Sequence, residues 1–106
     1  MRPELLKGNL DLLLLTILSE QPAHGYAVIE ELRARSQGAF ALPEGTVYPA
    51  LHRLERAGLL RSHWSDAEAR RRRVYQLSGL GQEALEARHE EWQAFARSVR
   101  LVVEGV

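Results

Sequence analysis

Residues 43–58 read PEGTVYPALHRLERAG, and this segment separates an N-terminal part of the chain from a C-terminal part with a different pattern. Apolar side chains recur in it at the spacing of one helical face, at Val47, Leu51 and Leu54. Gly58 then supplies a residue that can end a helix in the left-handed conformation. The pattern predicts a helix with one buried stripe and one polar face.

Pro49 lies inside this helical pattern, where it lacks the N–H group for one backbone hydrogen bond. Two starting points for the helix are therefore compatible with the sequence. The helix begins near Pro43 and tolerates the proline, or it becomes regular only near Tyr48.

Two helices are predicted upstream of this segment. Leucine and isoleucine recur at spacings of three and four residues, which predicts a first helix from Pro3 to Glu20. Pro22 ends that helix, because a proline disfavours the helical conformation in the residue before it. A second helix is predicted from His24 to about Ser36.

Downstream, the chain is predicted to form a hairpin and then one long helix. Residues 60–65 and 71–78 have the composition and alternation of two short strands, joined by a turn at 66–70. Ser78 is a candidate N-cap for a last helix that runs from Gly79 to Glu104.

The order of three helices, a hairpin and a helix is that of a winged helix-turn-helix. We therefore predict a mainly α fold with a small β-hairpin, an α+β arrangement. Residues 1–78 would form a winged helix-turn-helix DNA-binding domain, and residues 79–106 a C-terminal dimerisation helix.

Length and composition exclude several classes of protein. A chain of 106 residues has the size of one small domain. It has no cysteine, and its four histidines include no pair four residues apart, so we predict no metal, no other cofactor and no enzymatic activity. The longest apolar run, Leu12–Leu15, is too short to cross a membrane, which predicts a cytoplasmic protein without a membrane partner.

Positive charge is concentrated in the middle of the chain, although the formal net charge is zero. Residues 52–73 contain seven arginines and three acidic side chains and carry +4, whereas the segments on either side carry −2 each. A basic segment between acidic flanks is typical of a surface that contacts phosphates. A solvated face whose arginines pair with nearby glutamates would produce the same pattern.

The polar face of the third helix and the arginines of the hairpin are suited to DNA. Hydroxyl, phenol, imidazole and guanidinium groups on that face can reach base edges and phosphates in a major groove, and wing arginines favour the backbone or the minor groove. The predicted DNA-binding residues are Thr46, Tyr48, Pro49, His52, Arg53, Arg70, Arg71, Arg72 and Arg73. The alternative is a winged-helix module that docks an acidic protein through its basic wing. Such a module would more often present apolar side chains on this helix.

Short motifs occur in a fixed order along nearly the whole chain. They are Lys7-Gly8, Pro22 with His24-Gly25-Tyr26, Gly45 to Glu55, Gly58-Leu59-Leu60, Trp64, the arginine cluster, and Tyr75-Gln76-Leu77-Ser78 ahead of Gly81. In this order they resemble the PadR family of bacterial transcriptional regulators, and the length resembles its compact subgroup with a single C-terminal helix. The resemblance implies a homodimeric repressor that binds a palindromic operator in double-stranded DNA.

The resemblance also assigns roles to single residues. Tyr48, Pro49 and His52 match the recognition-helix motif of the family, and Arg71–Arg73 match its wing. Tyr26 belongs to the family signature either as a residue that packs on the third helix or as a phosphate contact.

The wing departs from the family pattern at two places. Ala69 precedes the basic stretch where the family usually has a glycine, and Val74-Tyr75 stands where it has two adjacent aromatic residues. These differences concern the shape of the wing more than its charge.

The last helix carries a stripe at heptad spacing that predicts a dimer. One seam position holds Leu85, Trp92, Val99 and Val106, and the other holds Arg88, Phe95 and Val102. A domain of this size cannot bury so long a helix against itself. We therefore predict a homodimer with a contact formed by Leu85, Trp92, Phe95, Val99 and Val102. The alternative is that the stripe packs on the first helix of the same chain.

Trp92 is a candidate ligand platform. The resemblance implies that the first and last helices of two subunits can enclose a hydrophobic pore for flat aromatic compounds. In that case Trp92 would stack on a small aromatic effector, with Asp11, Leu12 and Arg88 nearby. The alternative is that Trp92 only fills the core of the dimer.

Overall fold

The computed structural model describes residues 6–67 and 70–106 of the chain. The elements in these ranges are α1 (Leu10–Glu20), β1 (Ala23–His24), α2 (Gly25–Arg35), α3 (Glu44–Arg56), β2 (Leu60–Ser65), β3 (Arg72–Leu77) and α4 (Gly79–Glu104). This order confirms the predicted mainly α fold with a hairpin between the third helix and the last. The predicted helix start at Pro3 and two residues of the predicted turn, Glu68 and Ala69, lie outside the described residues.

The predicted first helix is interrupted by a turn at residues 7–9. Gly8 has a φ of +87°, a left-handed conformation that glycine adopts without steric cost, and the N–H of Asn9 donates to the carbonyl of Leu6 at 2.9 Å. α1 then runs regularly from Leu10. A continuous helix through residues 6–10 is therefore wrong, because the apolar spacing continues across a glycine turn that periodicity does not detect.

The start of the third helix is settled by the structure. α3 begins at Glu44, and the N–H groups of Thr46 and Val47 donate to the carbonyl of Pro43 at 3.0 and 3.2 Å. Pro49 lies inside the helix on its exposed side. Of the two predicted starts, the one near Pro43 is correct, so the helix tolerates the missing backbone hydrogen bond of Pro49 in its second turn.

The sheet contains one more strand than the sequence predicted. β2 and β3 form the expected antiparallel hairpin, with Leu60 opposite Leu77 and Ser65 opposite Arg72. β1 pairs antiparallel with the other edge of β3, so that the strand order is β1-β3-β2. A strand of two residues is too short to show alternation, which is why the pattern missed it.

The core lies between α1, α2, α3 and the sheet. Its fully buried side chains include Leu14, Leu15, Val28, Val47, Leu51, Leu54 and Tyr75. The predicted stripe of α3 is therefore buried as expected. This core fixes α3 with its polar face outward, beside the hairpin.

α4 packs on the core only through its first part. The hydroxyl of Ser78 accepts from the N–H of Gly81 at 3.0 Å, which confirms the predicted N-cap. Leu85 packs partly buried against the core, and the helix continues to Glu104. The Cα radius of gyration is 15.0 Å, above the value of about 13 Å for a compact domain of this length, because α4 projects beyond the core.

Within residues 6–67 and 70–106, no helix combines the length and hydropathy needed to cross a bilayer. In the same ranges, no three histidine or acidic side chains are arranged to hold a metal ion.

Candidate nucleic-acid interface

A cleft of about 860 Å³ separates the polar face of α3 from the hairpin. The α3 wall and the hairpin wall both carry polar, aromatic and charged groups. The lining residues are His24, Gly25, Tyr26, Glu44, Tyr48, His52, Glu55, Trp64, Arg70, Arg71, Arg72, Arg73 and Tyr75. Six of the nine predicted DNA-binding residues line this cleft, namely Tyr48, His52 and Arg70–Arg73, whereas Thr46, Pro49 and Arg53 do not.

α3 carries five of the nine predicted DNA-binding residues, and they differ in exposure. Pro49, His52 and Arg53 are exposed, and Thr46 is partly buried. Tyr48 is partly buried because its ring lies over the start of α2, where a Cβ on Gly25 would come within 2.5 Å of the tyrosine Cε1. The close approach of this ring explains the glycine of the His-Gly-Tyr motif, and it leaves Tyr48 less accessible than its neighbours on α3.

Tyr26 lies at the mouth of the cleft rather than in the core. Its side chain is 53% exposed and lines the same cleft as Glu44 and Tyr48. The buried tyrosine of this region is Tyr75, whose ring centroid lies 6.5 Å from that of His52. Burial raises the pKa of Tyr75, and the nearby Glu55 carboxylate raises it further, so this phenol stays protonated at neutral pH.

Trp64 organises the arginines of the wing. The guanidinium carbons of Arg71 and Arg73 lie 4.7 and 5.2 Å from the centroid of a Trp64 ring, which is cation–π distance. Arg72 is turned to the other side of the strand, with Nη1 at 2.6 Å from Nε2 of His24. Trp64 was not among the predicted binding residues. Its position opposite Arg73 in the hairpin register is the signal that could have identified it.

A polar network joins the wing to α3. Arg73 donates from Nε to the hydroxyl of Ser62 at 2.7 Å, and that hydroxyl donates to Glu55 Oε2. Arg73 Nη2 also lies 3.7 Å from the same carboxylate oxygen. Arg73 is therefore partly neutralised inside the protein and holds the hairpin against the helix. Neither Glu55 nor Ser62 was predicted, because their roles depend on the packing of two separate elements.

A second network holds Arg53 on the far side of α3. Arg53 donates from Nη2 to Asp11 Oδ1 at 2.6 Å and from Nη1 to Asp11 Oδ2 at 3.1 Å. These hydrogen bonds raise the pKa of Arg53. Arg88 of α4 reaches the same carboxylate, with Nη2 at 3.6 Å from Oδ2. Asp11 thus links α1 to both α3 and α4.

The predicted ligand residues are only partly brought together. Leu12, Arg88 and Trp92 line one groove of about 330 Å³ between α1 and α4. Asp11 is not part of its wall and is engaged by the two arginines instead. Trp92 is 44% exposed and also borders a second groove of about 370 Å³ that contains Leu12 and Phe40.

The predicted dimer residues fall into two groups. Leu85 packs against the core of its own chain. For this part of the stripe, the alternative prediction of packing within the chain therefore applies. The other four are exposed, and Phe95 and Val102 are 64% and 85% accessible. The second half of α4 therefore presents a row of large apolar side chains on the surface of the single chain.

The chain is similar to known transcriptional regulators along nearly its whole length. Residues 14–87 match the transcriptional regulator PadR-like family. A transcriptional regulator of Mycobacterium tuberculosis is 36% identical over 81 residues, which cover 76% of this chain and 73% of that protein.

Solved structures show the same similarity. A transcriptional regulator from Clostridium thermocellum superposes with a TM-score of 0.87 at 26% identity, covering 94% of this chain and 98% of the other. A PadR family transcription regulator from Clostridium difficile has a TM-score of 0.74 at 34% identity, covering 88% and 95%. These relatives are regulators and not enzymes.

Proposed function

The chain belongs to the PadR-like family of transcriptional regulators, a family that binds DNA, and from this premise we propose that it is a homodimeric repressor acting on a palindromic operator. The observation that carries the proposal is the cleft in which exposed polar groups of α3 face the arginines of the wing. Winged helix-turn-helix proteins use these two elements for the major groove and for the adjoining backbone.

We assign direct reading of bases to the exposed side of α3. His52, Thr46 and Pro49 would approach base edges, since imidazole and hydroxyl groups hydrogen-bond there and apolar atoms can contact thymine methyl groups. Arg70 and Arg71 would contact phosphates, and Arg72 would do so through the N–H donors that its contact with His24 leaves unused. Tyr48 would contact DNA only through the part of its ring that its packing on α2 leaves accessible. Arg73 would act mainly by holding the hairpin in place.

The dimer proposal is supported by the unpaired apolar stripe on α4. Trp92, Phe95, Val99 and Val102 are all exposed, and large apolar side chains in a continuous row on a soluble surface mark an interaction site. A second copy of the same helix offers the matching stripe, and a two-fold axis would pair them. In this arrangement residues 1–78 form the DNA-binding domain and residues 79–106 the dimerisation helix.

An effector site is proposed for the groove that contains Trp92. Its walls combine a half-exposed indole with Leu12 and Arg88, groups that suit a flat aromatic compound. The two recognition helices of a dimer must lie about 34–36 Å apart to enter successive major grooves. A ligand between the subunits would weaken operator binding if it bound more tightly to a dimer with a different separation of these helices. The size of the effect is limited by that difference in affinity.

The alternative of a protein-interaction module lacks support on α3. The exposed positions of this helix include His52, Arg53 and Arg56 rather than apolar side chains. A basic wing alone would also attract an acidic protein, so the DNA experiment must test sequence preference as well as affinity.

The experiment is fluorescence anisotropy with a labelled duplex from the region upstream of the protein's own gene, compared with a scrambled duplex at two salt concentrations. We expect tighter binding to the first duplex, with an affinity that falls as salt rises. If neither this duplex nor any sequence enriched by the protein from a random pool binds better than scrambled DNA, the regulator proposal is wrong. Capture of an acidic partner would then be tested.

A further inference from the structure

The carboxylate of Asp11 lies at the junction of three helices. It belongs to α1, receives two hydrogen bonds from Arg53 of α3, and lies 3.6 Å from Arg88 of α4. The Asp11 side chain is only 13% exposed, whereas the Arg53 side chain is 54% exposed. The two guanidinium groups hold the shielded carboxylate in place. The carboxylate in turn determines the orientation of the more accessible side chain, that of Arg53.

The geometry leaves Arg53 able to bind DNA while Asp11 holds it. A guanidinium has five N–H donors, and the two hydrogen bonds to Asp11 use two of them. The remaining donors belong to an exposed side chain next to His52 on the recognition helix. An arginine already held by a carboxylate loses less conformational freedom when it contacts a phosphate than a free one does.

The geometry points to Asp11 as a positioning residue for DNA binding, which holds the Arg53 guanidinium in the orientation that contacts an operator phosphate. The inference rests on the proposed function and deepens it. It also gives Asp11 a role other than contact with an aromatic effector.

The opposite role, in which Asp11 withholds Arg53 from DNA, is less compatible with the burial. If Arg53 left Asp11 for a phosphate, the one ion pair that the described residues leave to the shielded carboxylate would be the 3.6 Å contact with Arg88. Losing hydrogen bonds to a shielded charge is costly. Conversely, removal of the carboxylate leaves Arg53 and Arg88 as neighbouring cations that repel each other, so Arg53 would leave its present orientation.

The test compares three single variants of the full-length protein. Asp11→Asn removes the anchoring charge, and Arg53→Lys keeps the cation but loses the two-pronged geometry. Glu20→Gln is the matched control, because Glu20 is also on α1 and pairs with an arginine, Arg35 of α2, at 2.8 Å. It removes the same charge without touching α3.

The probe is a labelled duplex enriched by the wild-type protein from a random pool, and anisotropy is measured over a range of salt concentrations. We expect Asp11→Asn to weaken binding about tenfold and to lower the salt slope by roughly one, because one phosphate contact is lost. A merely structural role would not change that slope. Glu20→Gln should change the affinity by less than about threefold. Thermal unfolding and sedimentation check the fold and the oligomeric state of each variant.

Arg53→Lys makes the test independent of how well Asp11→Asn folds. Arg53 is exposed, so Arg53→Lys should fold and still bind about tenfold more weakly. Adding Asp11→Asn to it should cause little further loss, since both changes remove the same contact.

Three results would overturn the inference alone. They are equal or tighter binding by Asp11→Asn, an unchanged affinity of Arg53→Lys, and additive losses in the double variant. A wild-type protein that enriches no sequence would instead overturn the proposed function, and the role of Asp11 with it.

Discussion

The cleft beside α3 and the second half of α4 are both exposed, but they differ in how many contacts their side chains make within the chain. In the cleft and around α3, Arg73 is held by Ser62 and Glu55, and Arg53 by Asp11. On α4, by contrast, Phe95 and Val102 project with little cover from their own chain. The polar surface is organised by contacts within the chain, whereas the apolar surface of α4 has few such contacts.

This difference separates two kinds of effect. Changes in the cleft should alter DNA affinity or sequence preference while the subunit keeps its fold and assembly. Changes on the second half of α4 should alter assembly first and DNA binding as a consequence. The variants below test that separation, from the largest expected effect to the smallest.

The largest effect is expected for Phe95→Glu. A carboxylate placed in the apolar stripe would lose its hydration on dimerisation, so we expect monomers in sedimentation experiments. Operator affinity should fall roughly 100-fold, because two linked half-sites bind far more tightly than one. Gln93→Glu adds the same charge to an exposed position of α4 outside the stripe and should leave the dimer intact. A dimeric Phe95→Glu protein would place the interface elsewhere.

The combined change Arg71→Ala and Arg72→Ala should weaken DNA binding without affecting assembly. Each lost phosphate contact lowers the salt slope by about 0.9, and the loss should be similar for operator and scrambled duplexes. Arg73 is left in place because it holds the hairpin to α3. Arg33→Ala, an exposed arginine of α2, serves as the control for charge. An unchanged slope in the wing variant would contradict the phosphate role.

His52→Ala should reduce sequence preference more than affinity. A side chain that reads one base edge contributes about 1–3 kcal/mol of discrimination, so operator binding should fall while binding to scrambled DNA stays constant. His89→Ala, on exposed α4, is the matched control. Competition with duplexes altered at single base pairs identifies the position that His52 reads. Equal losses on both duplexes would show that His52 contributes only to general affinity.

Trp92→Ala is expected to have the smallest effect on DNA binding without ligand. The indole would contribute about 0.5–1.5 kcal/mol to stacking, so the affinity for the aromatic dye anilinonaphthalene sulfonate should fall by roughly two- to tenfold. The measurement is a dye titration in the absence of DNA, with the dimer monitored by sedimentation. If the variant binds the dye normally but dissociates more readily, Trp92 is core filler and not a platform.

Local signals in the sequence were sufficient for most of the secondary structure. The stripe of Val47, Leu51 and Leu54, the cap at Ser78 and the span of β2 each depend on neighbours a few residues away, and all three are confirmed. The order of the elements then indicated the winged fold, and the order of the short motifs indicated the family. Two local features escaped, the turn at Gly8 and the strand β1, because a single glycine and two residues are too short to change a periodic pattern.

The site shows the limit of such signals. The exposure of His52 and Arg53 followed from which side of α3 is apolar, and the charge of the wing followed from its run of arginines. The partners of those groups did not follow, since Arg53 meets Asp11 across 42 positions of sequence and Arg73 meets Ser62 across 11.

The sequence by itself therefore determined the elements, their buried faces, the location of the positive charge and the family. Only the tertiary structure decided which arginines are held by carboxylates, which ring covers Gly25, and how much of α4 is left uncovered. The physical reason is range. Helix caps and apolar periodicity act within a few residues, whereas an ion pair or a ring contact between separate elements exists only after the core has set their distance and angle.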